Sequence, residues 1–216
     1  MSAGARGAGD RGVEALLDGA GPGDHGGGRR HGDRFVVLVR HGEAAAGWDG
    51  DADPGLSDRG RAQAARAAVD LAALAGTPVV ASPLRRTRET AEPIAAALGV
   101  DVVLDAAVGE VVAPAPFAAL DQRGPWLRGF MAGRWADAGG ELAAWRQGVL
   151  SALDALPGDT VVVTHFVAIN AAVGAALGDD RVVTFRPGNC SQTVLRIGRD
   201  GTTVARLGDE ADTVVT

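Results

Sequence analysis

The chain contains one cysteine, Cys190, and neither lysine nor tyrosine among its 216 residues. A single cysteine excludes an intrachain disulfide and a zinc site built from cysteine thiolates. Without lysine, all 21 basic residues are arginine, which together with heavy Ala, Gly and Val usage reads as genome composition rather than chemistry. An isolated arginine therefore carries little weight, and only arginines in a specific context do. No apolar run reaches the roughly 18–20 residues that a membrane span requires, so no membrane association is expected. The opening MSAGARGAGD lacks the apolar stretch of a secretory signal, so a cytoplasmic location is expected. A net charge of −6 argues against nonspecific binding to nucleic acid.

What is present fits one globular core: 46% hydrophobic and 22% charged residues. Residues 1–33 are dominated by Gly, Asp and Arg, cannot bury enough apolar surface to offset backbone entropy, and are expected to form a disordered tail carrying His25 and His31 as solvated side chains. Residues 34–216 are expected to form a single domain. Phe35-Val36-Val37-Leu38-Val39 reads as a strand buried on both faces of a parallel sheet. Ser57 offers an N-cap for a helix from Asp58 to Ala75, with Ala65, Val69 and Leu74 on its apolar side. Pro78–Ala81 is a second strand. Ser82 as N-cap with Pro83 at the first helical position predicts a helix running to Leu98 and stopping at Gly99.

Val100–Leu104 is a third strand, and the segment 108–140, with prolines at 114, 116 and 125, is a short, partly helical insertion. A helix over Glu141–Leu156, a buried strand over Thr160–Thr164, a helix over Ala168–Leu177 and a hairpin of Gln192–Ile197 with Thr202–Leu207 complete the chain. This order predicts a three-layer α/β/α sandwich with a largely parallel central sheet.

In such a sheet, ligands bind beyond the carboxyl ends of the strands. The residues there are Arg40-His41-Gly42-Glu43, Ser82 to Arg86, Glu110, and His165. Both histidines of the folded region thus sit at strand ends. Two imidazoles and two guanidinium groups converging on one spot make a pocket suited to phosphate, because guanidinium matches phosphate oxygens bidentately. Arg86 would lie in the first turn of its helix, where free N–H groups also favour an anion. An imidazole near neutral pH can act as a nucleophile, and a partly buried Glu110 could supply a proton. Metal ligation is the rival use of two histidines, but no H-x-x-x-H or H-E-x-x-H spacing occurs, so no metal site is expected. Arg85 reads as a solvated neighbour of Arg86, Glu43 as a loop anchor, and Cys190 as a small core residue.

These residues resemble a known family. Leu38-Val39-Arg40-His41-Gly42-Glu43 resembles the RHG signature of the histidine phosphatase superfamily, which includes the phosphoglycerate mutases. Leu56–Ala64 is similar to that family's L-[ST]-x-x-G-x-x-Q-A stretch, Ser82–Ala91 to its S-P-L-x-R-x-x-x-T-A helix, and Val161–His165 to the strand bearing its second histidine. The resemblance spans Phe35 to Ile197. It implies a phosphoglycerate mutase-like fold and a phosphatase that works through phosphorylated His41, with Arg40, Arg86 and His165 holding the phosphoryl group. It also implies Glu110 as acid/base, with Asp105 as the fallback, no cofactor, and a small phosphorylated metabolite as substrate.

The departures are specific. Phe166 stands where glycine usually follows the second histidine, the loop after the signature is short, with Gly47-Trp48 as its Gly-Trp step, and the capping insertion is reduced. A mutase must shield its phosphohistidine from water, so these features favour hydrolysis. The alternatives are a phosphoglycerate-type mutase, a protein-phosphohistidine phosphatase, or a phospho-ligand binding module without turnover. Gly47, Phe166 and Asn189 are candidate substrate contacts, with a structural role an equal reading for Asn189; insertion residues Phe117, Trp126, Arg128, Phe130 and Trp135 are candidates for setting specificity, with packing an equal reading for Trp126 and Trp135.

Overall fold

A computed structural model of the chain describes residues 32–47 and 51–211. His25, His31 and the rest of residues 1–31 lie outside the described residues. Asp33, assigned above to the tail, is instead largely buried and pairs with Arg196 at 3.9 Å.

The sheet has six strands in the order β3-β2-β4-β1-β5-β6. Its centre is β1 (Arg34–Arg40), whose residues Val36 to Val39 are at most 1% exposed. A strand covered on both faces must be apolar throughout, as this one is. β1 pairs in parallel with β4 (Thr160–Thr164), which pairs in parallel with β2 (Val79–Ala81), and β2 with β3 (Val102–Leu104). On the other side the hairpin β5 (Gln192–Gly198) and β6 (Gly201–Arg206) runs antiparallel. Alternate residues of β1 feed opposite cores. Phe35, Val37 and Val39 pack with Leu71, Ile94 and Leu98, whereas Val36 and Leu38 pack with Val149, Leu153, Ile169 and Val173. The first set comes from helices α1 (Asp58–Leu71) and α2 (Arg85–Leu98); the second comes from α4 (Gly140–Asp154) and α5 (Phe166–Leu177). Helices on both faces make the three-layer α/β fold, with a mostly parallel sheet.

Several local expectations are corrected. α1 buries Gly60, Ala64, Ala67, Ala68 and Leu71, so its buried stripe is made of small residues. Ala65 is exposed and Val69 is 68% exposed, because small side chains let the helix lie close to α2 and turn those positions outward. β3 begins at Val102 rather than Val100 and is an edge strand with Val103 and Leu104 half exposed. α2 begins at Arg85, with Leu84 as its N-cap; Ser82 lies three residues upstream, its Oγ accepting from the Leu84 N–H at 3.4 Å and meeting His165 Nε2 at 2.8 Å. α5 begins two residues earlier than expected, directly after His165. In the insertion, α3 (Leu120–Met131) accommodates Pro125, and short helical turns flank it. Gly99 (φ 72°) and Gly178 (φ 67°) end α2 and α5 in the left-handed conformation that glycine adopts without a Cβ penalty.

No helix among the described residues is long and apolar enough to cross a membrane.

Candidate active site

The parallel strands β1, β2 and β4 end on one side of the sheet, and each delivers part of a polar cluster. β1 ends in Arg40 and His41, and the His41 N–H donates to the Thr164 carbonyl at 2.9 Å, prolonging the β1–β4 ladder into the site. Gly42 follows where the backbone is crowded: a Cβ there would lie 2.6 Å from the Gly60 carbonyl oxygen. The same contact in reverse would put a Gly60 Cβ 2.1 Å from the Glu43 carbonyl oxygen. The signature loop therefore sits directly on the first turn of α1. Glu43 anchors it, accepting from the Ser57 hydroxyl at 2.8 Å while its N–H donates to Gln63 at 2.8 Å.

The side chains of His41, Arg86 and His165 form one hydrogen-bonded row. Arg86 Nε donates to His41 Nε2 at 3.3 Å, and Arg86 Nη2 donates to His165 Nδ1 at 3.3 Å. The two rings lie edge to face with centroids 5.2 Å apart. A guanidinium can only donate, so both contacted ring nitrogens are lone-pair acceptors. Each ring then carries its proton on the other nitrogen: His41 Nδ1 donates to the Gly42 carbonyl at 2.7 Å, and His165 Nε2 donates to Ser82 Oγ at 2.8 Å. Burial holds both imidazoles well below the usual histidine value, and the charges of Arg86 and Arg40 push the same way. Both are therefore neutral near pH 7, and His41 presents an unprotonated Nε2.

Arg86 is itself positioned from two sides. Its carbonyl accepts from Thr90 Oγ1, which accepts in turn from the Gly42 N–H at 3.0 Å. Asp53 stands 3.9 Å from its Nη1 and also accepts from the Arg85 N–H at 2.8 Å, capping α2 from outside the helix. Arg40 Nη1 donates to the Pro187 carbonyl at 2.9 Å, and its guanidinium lies 5.2 Å from the centroid of the Phe166 ring. Glu110 is 7% exposed and accepts from the Val111 N–H at 2.9 Å. Burial pushes its carboxyl up to about 7, against the opposing pull of that N–H and of Arg86 and Arg40.

A cavity of about 1040 Å³ opens over this cluster. Arg40, His41, Arg86, Glu110, Gly47, Phe166 and Asn189 all line it, while His165, fully buried, does not and lies behind His41 and Arg86. Asn189 also has a structural bond, Nδ2 donating to the His41 carbonyl at 2.9 Å. Trp48 lies outside the described residues. Asp105 does not line the cavity; it caps a helical turn, accepting from the Ala107 N–H at 2.8 Å. Of the insertion residues, Trp126 and Trp135 take the packing role, and the specificity role expected of Phe117, Arg128 and Phe130 is corrected. Phe117, Trp126, Phe130, Trp135 and Trp145 form a row of ring contacts, stacked except for the edge-to-face pair Phe130–Trp135, and none of the first four, nor Arg128, lines the cavity. The insertion instead contributes Arg123, Leu127 and Met131. Among the described residues no cluster of His, Cys, Asp and Glu could hold a metal ion. The Cys190 thiol is pushed up to about 12 by burial, so it stays protonated.

The model of the histidine phosphatase superfamily (branch 1) matches residues 36–210. The chain belongs to the histidine phosphatase superfamily. Within that superfamily, 80 residues are 45% identical to the Probable phosphoglycerate mutase GpmB of Erwinia tasmaniensis, covering 35% of this chain and 37% of that protein. The match therefore spans little more than a third of the curated relative. A mycobacterial glucosyl-3-phosphoglycerate phosphatase complexed with VO3 is 26% identical, with a TM-score of 0.63 over 82% of this chain and all of that one. Bacillus stearothermophilus YhfR shares the fold at 20% identity, with a TM-score of 0.68 over 82% of this chain and 98% of that one.

Proposed function

We propose that the chain is a phosphatase that hydrolyses small phosphomonoesters through a phosphohistidine on His41, in a single domain beginning near residue 34 and acting in the cytoplasm. The observation that carries the reading is the row His41–Arg86–His165 beside Glu110. It sets an unprotonated Nε2, a bridging guanidinium and a carboxyl that holds its proton near neutrality around one cavity.

His41 Nε2 attacks phosphorus in line, and the ester P–O bond breaks as the N–P bond forms. Its Nδ1–H stays on the Gly42 carbonyl, so charge building on the ring is met by a fixed acceptor. Arg86 and Arg40 turn their N–H groups onto the equatorial oxygens, and His165 acts through the guanidinium that it orients. Glu110 gives its proton to the leaving alkoxide. The resulting carboxylate then takes a proton from water as that water attacks phosphorus, and His41 leaves unmodified. No step requires a metal, so chelators are expected to leave turnover unchanged.

The similarity to a phosphatase in complex with VO3 supports hydrolysis, and so does the open, large cavity. The curated relatives named as mutases favour a second reading, phosphoryl exchange between carbons of one substrate, which a bisphosphorylated primer would reveal. Rapid quench with a radiolabelled phosphomonoester should trap an acid-labile, base-stable phosphoenzyme that His41→Ala cannot form. Turnover retained in His41→Ala would defeat the proposal.

A further inference from the structure

Phe166 directly follows the buried His165 and lies beneath the Arg40 guanidinium. The Arg40 guanidinium has one hydrogen bond among the described residues, from Nη1 to the Pro187 carbonyl, and its Nε is buried without a partner. One hydrogen bond at one corner does not by itself fix the plane of a guanidinium, which needs a second contact. The Phe166 ring, 5.2 Å from Cζ, supplies a face for it to lie on. That ring is itself fixed. It is 5% exposed and shares a core with Val111, Leu127 and Trp135. Its carbonyl accepts from Asn170 Nδ2 at 3.0 Å, and Asn170 Oδ1 is held by the Thr184 and Phe185 N–H groups. The ring thus joins the insertion, through Leu127 on α3, to the arginine at the end of β1.

We propose that Phe166 is a positioning residue: its ring face holds the Arg40 guanidinium, which lines the cavity, so that its N–H groups meet an oxyanion there. A glycine at this position could not do this. Phosphate affinity in this chain is therefore tied to the electron density of one aromatic ring and to the packing of the insertion behind it. The inference rests on the phosphate-pocket reading above, and its test separates the two.

Phe166 is replaced in the full chain by mono-, di- and trifluorinated phenylalanine, which keep the ring's shape while draining its face of negative charge. Binding of inorganic phosphate and orthovanadate is then followed by calorimetry. The dissociation constant should rise stepwise, to a total of about threefold to tenfold, while the thermal midpoint stays put. In an Arg40→Ala background the series should be flat, since the cation that reads the ring is gone. A flat series in the unsubstituted background, or an equal slope without Arg40, overturns the platform and leaves the pocket standing. Absence of phosphate binding by the unmodified chain overturns both.

Discussion

Ser82 Oγ lies 2.8 Å from Nε2 of His165, and both side chains are fully buried. Ser-Pro ahead of a helix ordinarily signals a cap, yet here the hydroxyl serves the imidazole and the helix starts three residues later. The bond fixes which nitrogen of His165 faces Arg86. Replacing Ser82 with alanine strands a buried N–H, which costs about 1–3 kcal/mol. Thermal or denaturant unfolding of Ser82→Ala should show that loss, and an unchanged midpoint would mean that the ring finds another acceptor.

Arg86 uses two different nitrogens for the two histidines. An ammonium is a point donor and cannot span both rings, so Arg86→Lys is not conservative here. The expected fall in kcat/KM on a phosphomonoester is about 10²–10³-fold. Wild-type activity in Arg86→Lys would show that the bridge is incidental.

Glu110 should govern the alkaline side of the pH profile. It donates a proton only while it holds one, so kcat/KM should decline as pH rises through about 7. Glu110→Gln should lose about 10²–10⁴-fold on an alkyl phosphate and much less on 4-nitrophenyl phosphate, whose leaving group needs little protonation. The alkaline limb should vanish in that variant.

The same carboxyl leaves a mark on stability. It titrates near 4.5 when unfolded and near 7 when native, so between those values the unfolded state gives up its proton first. Stability therefore falls as pH rises through that window, by at most roughly 3 kcal/mol. The neutral imidazoles act oppositely, costing stability as pH falls below 6.5, where only the unfolded rings take a proton. Denaturant titrations should find Glu110→Gln more stabilising at pH 8 than at pH 4.

Gly60 tests the seat of the signature loop. A methyl there would sit 2.1 Å from the Glu43 carbonyl oxygen, so α1 and the loop must part. Gly60→Ala should cost about 2–3 kcal/mol and also reduce turnover, since the loop carries His41. Stability loss with full activity would show that the loop is held independently of α1.

Much of the site was legible because strand ends are legible. Val36 to Val39 and Val161 to Val163 are runs that only a doubly covered strand explains, and the polar residues after such strands must meet at one edge of the sheet. His41, His165 and Arg86 followed from that rule. Local pattern places an N-cap at Ser82 and an apolar face through Val69, and in both the fold differs: Ser82 Oγ meets a distant imidazole, and α1 turns its small residues to a close-packed neighbouring helix. Nothing local marks Asp53, which caps α2 from 32 residues away in the chain.

Periodicity, punctuation and residue chemistry were thus enough to say that two imidazoles and two guanidinium groups lie where a sheet binds ligands. Which ring nitrogen bears a proton, that Glu110 keeps its own, that Arg123 and Leu127 rather than the tryptophans face the cavity, and that Arg40 lies on Phe166 all depended on the folded chain. Those are properties of burial and of partners that only folding brings together, such as His41 with Arg86, 45 residues apart, and Ser82 with His165, 83 apart, and a local reading of the sequence holds neither the burial nor the pairing.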